Sequence, residues 1–332
     1  MLCFFMTILN SGQSQWLHDL LLGAFLKNGF ARTNGNKAWL ITELQYLNLT
    51  EDLAKGFLSF TKNPIYRKQF FELEVKMIRD NAKVIADAVG GTNFNLIDVY
   101  CGDGLKAVEL VKEINSKAKG SIKICYCPLN ASQYLIDRAI ENMKKADISN
   151  VVAYKPYLSA GDGRSLRLLA NSLKVNGFDK NVVALLGGVV ACFEINEYLF
   201  ELNRDMQKGD VLVMGNGVRV GERLVEIDKY KHAAFNNWFK HVMLGMGFSE
   251  KDIEFDARFG NSRVEFFYRL KKEKTDKYDG KVINFKAGDE FVVAVLYKYY
   301  AEEFEKFCKM YFTNSQIFTD KDKEYALLVC EK

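Results

Sequence analysis

Between Asn95 and Ala107 the chain reads NLIDVYCGDGLKA: an apolar strand closing on Asp98, a turn carrying Gly102 and Gly104, and the start of a helix. Small residues where a parallel strand hands over to a helix let backbone N–H groups approach a ligand closely, and the neighbouring carboxylate can fix one of its polar groups. The segment therefore predicts an α/β protein with a nucleotide-type site. What the turn lacks narrows the ligand. A dinucleotide site wants G-x-G-x-x-G and a P-loop wants G-x-x-x-x-G-K-[ST], and neither is present. Asp103, inside the turn, would also repel the phosphate that such backbone amides attract.

The pattern from Asp98 through Tyr100, Cys101 and Gly102 to Gly104 resembles motif I of the class I S-adenosylmethionine (SAM) methyltransferases, D/E-x-G-x-G-x-G, with tyrosine in the first glycine place. The form D-x-[YF]-C-G-x-G is also that of uracil-5-methyltransferases acting on RNA, so Tyr100 is compatible with a working turn. SAM carries a sulfonium and no phosphate, which agrees with Asp103.

Composition permits a large fold and removes several alternatives. At 332 residues and 48% hydrophobic content, the chain can bury a substantial core in one large domain or two intimate ones. Lys and Arg exceed Asp and Glu by only four, which leaves RNA binding open without indicating it. Seven cysteines without C-x-x-C spacing point to reduced thiols and a cytoplasmic setting. His18, His232 and His241 stand in no metal-ligand register, so no metal is expected. The apolar opening, residues 1–9, is short and has no positive region before it, which predicts a buried N-terminal segment; no run is long enough to span a membrane.

The rest of the chain keeps a βα rhythm. Apolar positions at Phe71, Val75, Ile78, Ala82, Ile85 and Val89 predict one helix stopped by Gly90-Gly91. Strands are expected at Ser121 to Cys127, closing on Asn130, and at Val151 to Tyr154, Val182 to Leu186 and Val211 to Met214, with helices between them. Such alternation predicts right-handed crossovers, a parallel sheet covered on both faces and a ligand at the carboxyl ends of the strands. That rim carries Asp98 to Gly104, Asn130, Tyr157, Gly187-Gly188 and Asn216. Residues 217–290 break the rhythm without clear parallel-strand runs and read as a substrate-covering insertion. Phe291 to Leu296 then rejoins the core, and Gln316 to Thr319 with Tyr325 to Cys330, joined by a short polar connection, should pair antiparallel.

Beyond motif I, ordered blocks resemble the histidine-specific SAM-dependent methyltransferase family, which includes the ergothioneine-pathway histidine N-methyltransferase and dimethylallyltryptophan N-methyltransferase. They are Asn63 to Tyr66 (family L-P-E-Y), Asp98 to Lys106, Tyr126 to Ser132 (family Y-x-P-x-D-x-S), Leu186 to Gly188, Ala233 to Asn236, Ser262 to Glu265, Phe285 to Asp289, Tyr297 to Tyr299 and Phe318 to Asp320. The resemblance implies a class I, Rossmann-like seven-stranded sheet, mostly parallel with an antiparallel last strand, plus a smaller substrate-covering α+β domain. The expected boundaries are 61–216 and 291–332 for the SAM-binding core, and 1–60 and 217–290 for the cap. It implies SAM contacts at Gly102, Lys106, Asn130 and Tyr157, and places Tyr66, the catalytic candidate, near an acceptor amine. The motif and rim add Asp98, Tyr100, Gly104, Ser132, Gly187 and Gly188 as cofactor-binding candidates. Acceptor-side candidates are Tyr66, Cys192, Asn216, Ala294 and Leu296.

Departures from the family shape the expected chemistry. Asn130 replaces the acid that accepts the ribose hydroxyls, and could still accept through its amide oxygen. Pro156 stands near the place of the family's acid after the third strand, with Asp162 as a substitute. Cys192, Ala294 and Leu296 align with the family's histidine-binding asparagine, glutamate and serine, which argues against histidine as the acceptor. The leading reading is SAM-dependent N-methylation of a small amino-acid-like or aromatic amine. RNA base methylation, with Cys192 as the candidate nucleophile, and a degenerate SAM-binding or interaction protein without catalysis are the alternatives.

Overall fold

The NLIDV run becomes the strand Phe94–Val99, buried along its whole length at the centre of the larger sheet. We describe a computed structural model over residues 12–33, 35–41, 44–118, 121–159, 163–174, 177–178, 180–220, 227–312 and 314–332. Residues 1–9 and Asp162, for which expectations are given above, lie outside them. By internal contacts the chain divides into two units, Asn48–Val225 with Leu296–Lys332, and the residues up to Leu47 with Glu226–Val295.

In the larger unit the sheet runs Asn314–Thr319, Tyr325–Glu331, Val211–Gly217, Lys180–Leu185, Phe94–Val99, Ile124–Asn130, Val151–Tyr154, and the two-residue strand Tyr157–Leu158 also pairs with Ile124–Asn130. Counted along the chain, the seven strands stand in the order 6-7-5-4-1-2-3. The first five are mutually parallel, and Tyr325–Glu331 is antiparallel to both of its neighbours. Continuous Val/Ile/Leu runs suit such strands because helices cover both faces. On one face Ile85, Val108, Val111, Ile136 and Met143 pack against Leu96, Tyr126 and Val213 in one buried cluster.

The single helix expected over 71–89 is three pieces: a π turn at Arg67–Glu72, then Leu73–Asp80 and Ala82–Val89. Asn81 interrupts it. Its backbone leaves helical geometry and its side-chain amide donates to the Met77 carbonyl at 2.8 Å, the local competition for which asparagine is disfavoured inside helices. Gly90, at φ 76°, closes the last piece in the left-handed region.

The smaller unit holds a sheet in the order Phe30–Thr33, Asn36–Leu40, Glu290–Tyr297, Arg263–Leu270, Ile253–Gly260, with a separate hairpin, Lys274–Tyr278 and Lys281–Phe285. Two boundaries differ from expectation. The helix Glu51–Thr61 belongs to the larger unit, while Phe291–Val295 joins the smaller one because it pairs in parallel with Asn36–Leu40. The stretch read as lacking clear parallel-strand runs contains two tight antiparallel hairpins. Their turns place Asn261, Ser262, Asp279 and Gly280 at positive φ, the geometry that matches the twist of paired strands.

Candidate active site

The turn after the first core strand is set by side chains packed against it. Tyr100, Gly102 and Gly104 all have positive φ, at 54°, 54° and 72°. A Cβ on Gly104 would stand 2.9 Å from the Cα and Cβ of Ala139 and from the Tyr126 hydroxyl, so the helix Gln133–Lys145 packs directly on a bare α-carbon. One on Gly102 would come within 3.0 Å of the Phe57 ring, from the helix Glu51–Thr61. Asp103 turns inward to the chain, its Oδ1 accepting from the Leu105 N–H at 3.2 Å to start the helix Leu105–Lys117.

Asp98, only 3% exposed, accepts a 2.7 Å hydrogen bond from the Tyr126 hydroxyl. Burial nevertheless pushes its carboxyl up to about 7, so the free site holds a titrating acid that a hydrogen-bond-donating ligand would keep ionised. On the other side of the turn, Tyr100 lines a cleft of about 220 Å³ with Val99, Leu129, Phe193, Tyr198 and Leu202, rimmed by Glu194, Glu197 and Glu201. Phe193 stacks on Tyr198 at 4.4 Å, and Tyr100 tilts against Phe193 at 6.0 Å.

A buried charge pair lies at the carboxyl ends of the fourth and fifth core strands. Glu74, with no exposed surface, accepts from the Gly187 N–H through both oxygens, at 2.9 and 2.8 Å, and faces Lys106 Nζ at 2.5 Å. Lys106 also donates to the Phe70 carbonyl at 2.9 Å and stands 5.4 Å from the centre of the Tyr66 ring. Burial draws the Lys106 ammonium down, but Glu74 more than offsets it and the net shift is upward. A Cβ on Gly215 would overlap both Glu74 Oε1 and the Tyr325 hydroxyl. Tyr66 opens its helix after the Asn63 cap, with the rings of Phe60 and Phe70 at 5.1 and 5.9 Å, and burial raises its phenol.

The remaining candidates divide. Ser132 caps the helix Gln133–Lys145 through its hydroxyl, at 3.4 Å from the Leu135 N–H. Asn130 differs from expectation: its amide oxygen accepts from the Ser132 N–H at 3.0 Å, so the free group is its buried NH₂, which has no partner among the described residues. Tyr157 pairs beside Leu129 on the short strand. Gly187 faces the Lys106 ammonium, whereas Gly188 has open space where a side chain would go. Asn216 is fully buried with neither amide atom partnered among the described residues. Cys192 ends a short turn after the fourth core strand, and burial pushes its thiol up to about 12, which keeps it protonated at neutral pH. Leu296 lies in the larger unit and Ala294 in the smaller one.

Two members of the charge cluster, Glu74 and Tyr325, are absent from the sequence-derived set. Glu74 had a readable signal: it falls between Phe71, Val75 and Ile78 on the helical stripe predicted to be buried, where a carboxylate needs a partner. Tyr325 had none, because a tyrosine opening a buried strand is ordinary core.

The sequence model of the family described as histidine-specific methyltransferase, SAM-dependent, matches residues 55–332. The chain belongs to this family. It is a SAM-dependent methyltransferase of class I fold, and SAM is its cofactor. The curated proteins contain no match to this methyltransferase. Among solved structures it is similar to the PH0226 protein of Pyrococcus horikoshii at 14% identity, covering 85% of this chain and 99% of that one, with a TM-score of 0.42. It is likewise similar to magnesium protoporphyrin IX methyltransferase from Synechocystis, crystallised with S-adenosylhomocysteine, at 10% identity, 86% and 96% coverage and a TM-score of 0.42. A SAM-dependent methyltransferase from Bacteroides fragilis is similar at 12% identity, 80% and 78% coverage and a TM-score of 0.36.

The residues present fit this cofactor. An aromatic cleft rimmed by carboxylates suits a flat base bearing an exocyclic amine, and the unpartnered Asn130 NH₂ and the Asp98 carboxylate at neighbouring strand ends suit a polyhydroxylated sugar. Among the described residues no helix is long and apolar enough to cross a membrane, and no group of His, Cys, Asp and Glu is arranged to hold a metal ion.

Proposed function

We propose that this methyltransferase acts on the nitrogen of a small aromatic or amphipathic amine and that histidine is not its substrate. The observation that carries the reading is the setting of Tyr66, a half-buried phenol between the Phe60 and Phe70 rings and beside Lys106. Rings at these separations are in mutual contact and together make an apolar wall against which a flat acceptor can pack. SAM, when bound, supplies a methyl group on a positively charged sulfur, and its in-line transfer asks the protein to align a neutral nucleophile and exclude water.

Under this reading Tyr100, Phe193 and Leu129 hold the adenine, Asp98 and Asn130 the ribose, and Gly102 and Gly104 allow the backbone to approach the cofactor. Tyr66, whose hydroxyl stays protonated at neutral pH, accepts from the amine N–H and turns the lone pair toward the methyl group. The acceptor proton passes to solvent, so no dedicated base is required. Cys192, as a protonated thiol, supports the small-amine reading over RNA carbon-5 methylation, which needs a thiolate.

The test is a panel of aromatic, amphipathic and free amino-acid amines incubated with SAM, with methylated product and S-adenosylhomocysteine followed by mass spectrometry. An aromatic amine should be turned over, and histidine should be slower by about 10²-fold or more, the discrimination expected when polar partners are missing. Histidine as the best substrate, or methylated RNA with no methylated amine, overturns the proposal.

A further inference from the structure

We propose that Cys125 and Cys127, two residues apart on the strand Ile124–Asn130, are a site of oxidation by hydrogen peroxide, and that the disulfide they form within this one strand weakens cofactor binding. The oxidation stands on the two thiols alone. Its effect rests on the reading that Asn130, at the end of the same strand, holds the ribose.

Cysteines in a core strand are ordinarily apolar filler. Three features set this pair apart. Their sulfurs are 3.7 Å apart, in contact, and the Cys127 thiol also donates to the Cys125 carbonyl at 3.5 Å. The two thiols differ in acidity: the hydrogen bond from Cys127 and the Lys155 cation lower Cys125 against its burial, whereas the bond to Cys125 and burial raise Cys127. Burial raises the thiols of Cys101, Cys192, Cys308 and Cys330, so Cys125 is the one described cysteine shifted toward thiolate. Third, both side chains are buried, but the strand lies one in from the sheet edge and its neighbour bulges beside the pair. Ile124 is matched with Val151 and Cys125 with Ala153, which leaves Val152 unmatched and 52% exposed. A bulge disrupts the ladder, and a four-residue edge strand opens locally at low cost, which admits a molecule as small as peroxide.

The chemistry balances with peroxide as the oxidant. The Cys125 thiolate attacks one peroxide oxygen, the O–O bond breaks, the departing hydroxide takes a solvent proton, and Cys125 is left as a sulfenic acid. Cys127 Sγ then attacks the Cys125 sulfur, the S–O bond breaks, and the hydroxide released takes the Cys127 thiol proton. Two thiols lose two electrons, and one peroxide becomes two waters. The product pulls on the strand. Two steps along a strand span about 6.6 Å, near the upper limit of the roughly 4.4–6.8 Å that a disulfide bridges, so closing the sulfurs to about 2.0 Å draws the strand together. Asn130 lies three residues beyond Cys127. Its amide oxygen fixes the Ser132 N–H at the start of the helix Gln133–Lys145, which packs on Gly104. A shift of this strand end therefore reaches both the Asn130 amide and the glycine turn.

The experiment compares the whole chain reduced with dithiothreitol and treated with hydrogen peroxide, by peptide mass mapping and by calorimetric binding of S-adenosylhomocysteine. Peroxide should link Cys125 to Cys127 and lower the affinity about tenfold, the worth of one lost hydrogen bond, and dithiothreitol should reverse both changes. These readings need no variant. Cys125→Ala should bind within about threefold of reduced wild type and keep that affinity through peroxide. Cys127→Ala should accumulate a sulfenic acid on Cys125, which dimedone labels. Absence of the link in wild-type protein overturns the site, and dimedone labelling of Cys127 in Cys125→Ala without labelling of Cys125 in Cys127→Ala overturns the assignment of the attacking sulfur. A link that leaves the affinity unchanged overturns the switch, and Asn130→Ala in reduced protein then separates the causes. Affinity kept in that variant means that Asn130 does not meet the ribose, and affinity lost means that the disulfide does not move the strand end.

Discussion

Gly104→Ala should be among the most destabilising single-methyl additions in this protein, and Gly188→Ala shows why. Both glycines sit in the left-handed region, at φ 72° and 71°, so alanine meets the same backbone penalty at each, about 1–2 kcal/mol. They differ in what surrounds the new methyl. At Gly188 nothing lies within 4 Å, while at Gly104 it stands 2.9 Å from a helix backbone atom of Ala139, from its Cβ and from the Tyr126 hydroxyl. None of these is the far end of a flexible chain, since Tyr126 is fully buried and tied to Asp98. Relieving the overlap means moving the helix Gln133–Lys145 off the sheet by a few tenths of an ångström, an overpacking that costs about 1–3 kcal/mol more. The expected losses are therefore about 2–5 kcal/mol for Gly104→Ala and about 1–2 kcal/mol for Gly188→Ala. Urea unfolding of the ligand-free protein measures both, with equal slopes as the check that only stability has changed. Equal losses, or a larger one at Gly188, would show that Gly104 is there for its backbone conformation alone and refute the packing argument.

Asp98 binds its proton up to about pH 7 in the folded chain against 3.8 for an unperturbed carboxyl, so the folded state holds more protons in that window and stability falls as pH rises through it. Relative to Asp98→Asn, free wild-type protein should lose up to about 4 kcal/mol between pH 4 and 7 in urea titrations; parallel curves for the two proteins would contradict the buried-acid assignment. His18 behaves differently. Burial lowers its pKa, but hydrogen bonds from its ring to Asp19 and Asp276, at 3.0 and 2.9 Å, leave it raised above 6.5. Its contribution, under about 1 kcal/mol, is complete below pH 6.5 and is lost as pH rises through the folded value. Amide exchange in Lys274–Tyr278 should therefore quicken with rising pH more in wild type than in His18→Gln, and identical ratios would argue against the link. Cys192→Ser should keep methyl transfer within about threefold, because a protonated thiol offers little that a hydroxyl does not; a loss beyond about 10²-fold would make Cys192 a nucleophile.

The core strands and the glycine turn were legible because local and tertiary demands agree there. Val182 to Leu186 and Val211 to Met214 are continuous apolar runs that suit only strands buried on both faces. Asp279-Gly280 was a readable hairpin signal, yet the strands beside it, KTDKY and KVINF, are respectively almost wholly polar and irregular, so no two-residue apolar period marks them. Asn81 illustrates the converse: the apolar stripe runs past it unbroken, so the helical period extends further than the backbone does. The pairing of Glu74 with Lys106 was out of reach of any local pattern, being a contact between residues 32 positions apart whose reason is a backbone N–H at Gly187. Asn130 was read as accepting a ligand's hydroxyls through its amide oxygen, and that oxygen is already engaged. The Ser132 N–H two residues on claims the amide oxygen, a local Asx-type bond that a motif comparison does not weigh.

Charge is distributed unevenly among the candidate site residues. Asp98, Glu74 and Lys106 are ionisable and almost completely enclosed, whereas the acceptor-side positions Cys192, Ala294 and Leu296 carry a neutral thiol and two hydrocarbons. Keeping three buried ionisable groups opposes folding unless a ligand uses them, because each must be desolvated whether or not the site is filled. Hydrocarbon at the acceptor positions carries no such penalty and confers no selectivity for a polar substrate. Under the function proposed above, the two groups answer to ligands of different chemistry: a charged cofactor for the enclosed acids and lysine, and a less polar amine for the rest. A free amino acid as acceptor would call for polar partners such as the family's asparagine, glutamate and serine, and the positions that align with them, Cys192, Ala294 and Leu296, supply none of these.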